Sequence, residues 1–163
     1  MARSSAPVQV VSTLSGAMPH IEDTLLEANT QTFYEGQLVY SDQGAITAVA
    51  DDGVEILGIA LKAATNVSSG NIKIPVLVLT PDCICRMKVT NGATAADTDS
   101  AAMYEKYAIY VASTNISHAD IGDTGHDAVV YLGPCDDAAG DATAYGLFRF
   151  LDSVLQWSEV GKS

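Results

Sequence analysis

Between Phe33 and Val89, apolar side chains recur at every second position, and no long helical pattern interrupts them. A chain written this way builds sheets. Leu57, Ile59 and Leu61 alternate with the small Gly58 and Ala60, and Ile72, Ile74, Val76 and Val78 share one face. Cys83, Cys85, Met87 and Val89 point one way, with Arg86 and Lys88 pointing the other. Turn residues cut the run into short strands. Gln37–Tyr40 is followed by Ser41-Asp42-Gln43-Gly44. Ala45–Val49 runs into Asp51-Asp52-Gly53, where Asp-Gly supplies the positive backbone angle of a tight hairpin. Pro75 removes a ladder donor, which predicts an edge or bulged strand over Ile72–Leu79.

Further strands are expected over Tyr104–Ala112, Ala128–Leu132 and Tyr145–Trp157, separated by Gly/Asp-rich loops. The fold class that follows is all-β or β-dominated: a small β-barrel or sandwich with an extended N-terminal arm and at most two short helices. The favoured helix lies between Asn91 and Met103. At 163 residues the chain suits one domain with a real core. Residues 1–32 are read as the arm and 33–163 as the barrel. The arm is polar, with apolar clusters at Val8, Val10 and Val11 and then at Ile21, Leu25 and Leu26; the second cluster suits one or two turns of helix. Either it is a free terminus, or it orders on a neighbouring molecule.

Charge narrows the partners. Twenty acidic against eight basic residues give a net charge of −12. Phosphate neutralisation needs clustered Lys and Arg, so a nucleic-acid-binding surface is excluded, as is attachment to an anionic membrane. No apolar run reaches the length of a signal peptide or a membrane span. Three cysteines form an odd set that suits a reducing compartment, so Asn66-Val67-Ser68 and Asn115-Ile116-Ser117 are read as chance matches to the glycosylation pattern.

Chemistry is hard to find. Cys83 and Cys85 are read as buried thiols, because His20, His118 and His126 are too scattered to complete a metal site with them. The Asp120–Asp127 loop carries carboxylates but lacks the register of a calcium loop, and Asp136, Asp137 and Asp141 fare no better. There is no nucleophile elbow and no glycine-rich phosphate loop. The expectation is a non-enzyme with no catalytic residues, no cofactor and no metal.

The pattern Tyr34-Glu35-Gly36-Gln37-Leu38-Val39-Tyr40, Gly44-Ala45-Ile46-Thr47, Asp52-Gly53-Val54-Glu55-Ile56-Leu57-Gly58-Ile59-Ala60, then Ile74-Pro75-Val76-Leu77-Val78-Leu79-Thr80-Pro81-Asp82, resembles the head decoration (cement) proteins of tailed bacteriophages. The resemblance spans Phe33 to Val89, about a third of the chain. It implies a protein made in the host cytoplasm that binds the outer surface of the virion capsid and bridges major capsid protein subunits. The arm residues Val8, Val10, Val11, Ile21, Leu25 and Leu26 are then the expected capsid contacts, by strand addition to a partner's sheet edge. Tyr104, Tyr107, Tyr110 and Trp157 are the expected contacts between copies, in a trimer if the protein sits at a threefold position. The competing reading is an acidic β-barrel that binds a small ligand, which would need an interior pocket.

Overall fold

The computed structural model describes residues 8–112, 116–135 and 145–157. In chain order the strands are β1 (Gln9–Thr13), β2 (Ile21–Glu22), β3 (Leu26–Glu27), β4 (Leu38–Asp42), β5 (Ala45–Ala48), β6 (Gly58–Ala60) and β7 (Val76–Val78). They continue with β8 (Cys83–Asn91), β9 (Thr94–Ala95), β10 (Lys106–Val111), β11 (Ser117–Asp120), β12 (Val129–Pro134) and β13 (Tyr145–Phe150). Among the described residues, the named helical elements are single 3₁₀ turns at Thr98–Ser100 and Asp152–Val154. The first falls where the short helix was expected, and the Asp97 carboxylate caps it by accepting from the Ser100 N–H. No helix among the described residues is long and apolar enough to cross a membrane.

Two sheets share the work. In one, β8, β11, β10, β12 and β13 pair in sequence and β13 returns to β8, closing a five-stranded barrel. The β8–β11 pair is parallel, while the other pairs of this ring are antiparallel. The alternation read from β8 holds: Cys83, Cys85, Met87 and Val89 are buried in the core, opposite residues that stay partly open. Tyr131 and Phe148 fill the interior with ring centroids 5.3 Å apart. Gly146 makes room for them, since a Cβ there would lie 2.7–2.8 Å from both rings.

The second sheet has the order β2-β7-β6-β4-β5-β3. It curls on itself: the Glu27 N–H donates to the Ile72 carbonyl (2.9 Å) and the Ile74 N–H to the Leu25 carbonyl (3.0 Å), tying β3 to the segment that leads into β7. Register then decides which side chain faces which core. Leu38, Ile59 and Leu77 are directly opposite one another across β4, β6 and β7, and pack on the core that fills the barrel. Their neighbours Val39, Ala60, Val76 and Val78 face the other way, into a second core with Phe33, Ile46, Leu57 and Ile74. Each fully buried aliphatic side chain of this kind contributes about 1.5–3 kcal/mol.

Several expectations are corrected. Residues 8–27 are not an arm standing off the barrel: β1 pairs with β8, β2 with β7 and β3 with β5, all within the chain. Ile21 to Leu26 is two short strands and not a helix, because each finds an open sheet edge. Pro75 does not mark an edge, for β7 begins just after it and lies between β2 and β6, while the Pro75 carbonyl accepts from the Leu61 N–H at 2.8 Å. The tight hairpin is at Gln43-Gly44, both with positive φ (49° and 87°) between the paired Asp42 and Ala45. Asp51-Asp52-Gly53 is a turn between strands that do not pair with each other, since β5 and β6 lie on opposite edges of β4.

One buried charge ties the second sheet to its loop. Glu27 is 2% exposed, and its carboxylate accepts from the Thr65 N–H (2.7 Å), the Thr65 hydroxyl and the Ile72 N–H (3.3 Å). Burial is the largest influence and opposes ionisation. The hydrogen bonds from Thr65 and Ile72, with the charge of Lys62, together outweigh it and hold the carboxyl below its ordinary range.

Two predictions follow from these contacts. An added methyl at Gly58 would overlap the Leu77 carbonyl in the paired strand, so Gly58→Ala should cost at least about 1–3 kcal/mol, read as a fall in the urea midpoint. Glu27→Gln should cost about 1–3 kcal/mol at neutral pH. Because the folded pKa is depressed, the carboxylate's contribution is complete above the unfolded value of about 4.3 and is lost as pH falls through the folded one. Urea unfolding across that range should show a steeper acid loss in the native protein than in the glutamine variant.

Candidate functional site

The exposed apolar residues are the candidates for a partner surface, and many lie along the N-terminal crossing. Among the described residues β1 is an edge strand, paired only with β8. Its register slips between Val10 and Ser12, so Val11 is the extra residue of a bulge. Bulges re-aim a side chain, and Val11 is 48% exposed. Leu14, Met18 and Ile21 follow it on the surface, Met18 almost fully exposed at 93%.

Beside β1 runs a cleft of about 360 Å³. Val8, Val10 and Val11 form one wall and Ile59, Leu61 and Leu77 of the second sheet another, with Glu35 at its side. Leu25 and Leu26 line a different and wider cleft of about 940 Å³, with the β4–β5 turn and Gly70-Asn71. A third, of about 470 Å³, lies along Asn91 to Ser100. These clefts belong to strand rims and loops, not to the barrel interior.

The six residues proposed from sequence as one contact set therefore divide. Val8 is 3% exposed and belongs to the chain's own core, a correction forced by the pairing of β1 with β8. Val10 and Leu25 are partly buried against the two cores. Val11, Ile21 and Leu26 point outward. The aromatic set divides as well. Tyr107 is 3% exposed, and its hydroxyl accepts from the Ala102 N–H at 2.8 Å, so it is a core residue. Tyr110 is partly buried, its ring 6.3 Å from that of His118. Tyr104, at 73%, and Trp157 remain on the surface. They hang from different places: the Tyr104 N–H donates to the Tyr131 carbonyl, whereas Trp157 donates to the Asp152 carboxylate.

Titratable groups gather in one spot that alternation patterns do not reveal. The Asp51-Asp52 turn docks on β10, the Asp52 N–H donating to the Ile109 carbonyl (2.9 Å) and the Val111 N–H to the Asp51 carboxylate (3.0 Å). The loop between β11 and β12 docks beside it, the Ala108 N–H donating to the Asp123 carbonyl (3.1 Å). His126 Nδ1 then lies 2.8 Å from Asp123 Oδ2 and 3.7 Å from Asp52 Oδ2. The hydrogen bond with Asp123 raises the His126 pKa and lowers that of Asp123. Asp52 is shifted upward, first by burial and then by Asp51, against the pull of His126. Spacing along the chain gave no sign of this, since Asp52 was read only as a turn residue.

The other described groups singled out in the sequence, Cys83, Cys85, His118 and Asp120, are buried. Cys83 and Cys85 are buried, and burial pushes the Cys85 thiol well above its ordinary range. His118 is pulled down to about 4 by burial and then by Lys88, which keeps it neutral at neutral pH. Asp120 is a structural acceptor, taking the N–H groups of Gly92 (2.8 Å) and Gly122 (2.9 Å). Asp136, Asp137 and Asp141 lie outside the described residues. No protein-family model and no curated protein sequence matches the chain.

The contrast between neighbouring valines is directly testable. Val8→Ala should destabilise the fold by about 1–2 kcal/mol, whereas Val11→Ser should stay within about 0.5 kcal/mol. Urea midpoints of the two variants measure the difference.

Proposed function

We propose that the protein is a capsid decoration protein, bound to the outer surface of a phage head and bridging major capsid protein subunits. The observation that carries this reading is the Phe33–Val89 pattern. Those residues form β4 to β8, the inner strands of the second sheet and the strand on which the barrel closes. A clamp under load needs rigid bodies, and two filled cores sharing one sheet provide them. The acidic surface keeps free copies dispersed before assembly. The small-ligand reading is weaker, because Tyr131, Phe148, Phe150 and Met87 occupy the barrel interior.

Attachment then uses the outward residues of the N-terminal crossing, Val11 and Ile21 foremost, with Leu26 beside the wider cleft. Tyr104 and Trp157 are the aromatic groups available for contact between copies, in a trimer where the head offers threefold positions. Contacts of this apolar kind depend little on salt. The test is co-sedimentation of the full chain with expanded heads that lack it, at low and moderate ionic strength. Saturable binding that changes little with salt, and that Val11→Asp with Ile21→Asp abolishes, is expected. No binding to the heads, or a steep loss of occupancy with salt, would overturn the reading.

A further inference from the structure

We propose that Asp52, Asp123 and His126 form a divalent-cation site of the zinc type, joining the turn after β5 to the loop between β11 and β12. One ligand atom from each of these side chains falls within 4.8 Å of the others, although Asp52 is far from the other two in sequence. An imidazole nitrogen with two carboxylate oxygens suits a first-row divalent ion. It does not suit calcium, which takes six to eight oxygen ligands.

The spacing fits such an ion. Ligands held at about 2.1 Å around a tetrahedral centre lie about 3.4 Å apart. The separations from His126 Nδ1, 2.8 Å to Asp123 and 3.7 Å to Asp52, fall on either side of that value. Partly exposed side chains can make the adjustment by rotation.

The site is also preorganised. The backbones of Asp52 and Asp123 are hydrogen-bonded to adjacent residues of β10, Ile109 and Ala108, so one strand sets the spacing of the two backbones from which the carboxylates reach. The Gly125 N–H donates to Asp123 Oδ1 at 2.6 Å, leaving Oδ2 turned toward His126. Around a neutral imidazole the two carboxylates leave two negative charges, and Asp51 and Asp120 add to the field at Asp52. A cation is the natural counter-charge. In its absence, the same groups hold His126 as an ion pair.

Bound metal would link the second sheet to the barrel and stabilise the folded chain by mass action. The test uses the full-length protein with zinc chloride, followed by equilibrium dialysis and by thermal unfolding. One zinc per chain and a melting temperature that climbs with zinc are expected, with no such climb in calcium. Asp52→Asn and His126→Ala should each weaken zinc binding by at least about tenfold, the loss that removing even an outer-shell partner produces. Far-UV spectra without metal show whether both variants remain folded. The site is refuted if dialysis finds no zinc at about 1 mM, or if either folded variant keeps native affinity, which would place the metal on other side chains.

Discussion

A sheet buried on both faces is the constraint on which this molecule depends. β6, with the residues opposite it on β4 and β7, separates two cores, so each side chain must suit one or the other. Leu38, Ile59 and Leu77 serve the barrel side, and Val39, Ala60, Val76 and Val78 serve the enclosed side. Shifting the register by one residue would exchange the two sets and spoil both cores. Gly58 is part of the same constraint, because its missing side chain is what lets β7 approach.

This double burial explains what was legible in the sequence. β8 reads cleanly because one face fills the barrel and the other stays partly open, the condition under which period two carries information. Around β6 both faces are apolar, so alternation shows a strand without showing that its second face is covered. Pro75 looked like an edge marker, since a missing donor matters only where the ladder needs it, and the ladder of β7 begins one residue later. The Asp-Gly signal at 52–53 identified a turn but not its partners: two strands flanking a turn need not pair when a third lies between them.

The surface was harder to read than the fold. Val8, Val10 and Val11 are one apolar cluster in sequence, and only the bulge in β1 decides which valine faces the core and which faces outward. Bulges depend on the partner strand, and β8 lies more than seventy residues away. The aromatic residues met the same difficulty, with Tyr104 and Tyr107 separated by a change of backbone direction that places Tyr104 at a positive φ of 63°. The meeting of Asp52 with Asp123 and His126 is a property of β10 as a shared docking strand, and local spacing carries no trace of it.

The bridge between Ile56 and Leu155 has a consequence for how the chain is made. Ile56 donates its N–H to Val154, and its carbonyl accepts from Gln156, whose side chain also exchanges two hydrogen bonds with Ser41. Val154 and Leu155 enter the core shared by the two sheets. During synthesis, that core stays open until nearly the last residues of the described fold leave the ribosome. Loops this long close slowly, because chain entropy must be lost before the contacts compensate for it. The apolar faces of Leu38 and Ile59 on β4 and β6 therefore wait for a partner made about a hundred residues later, and the core they share closes only after Val154 and Leu155 have emerged and docked.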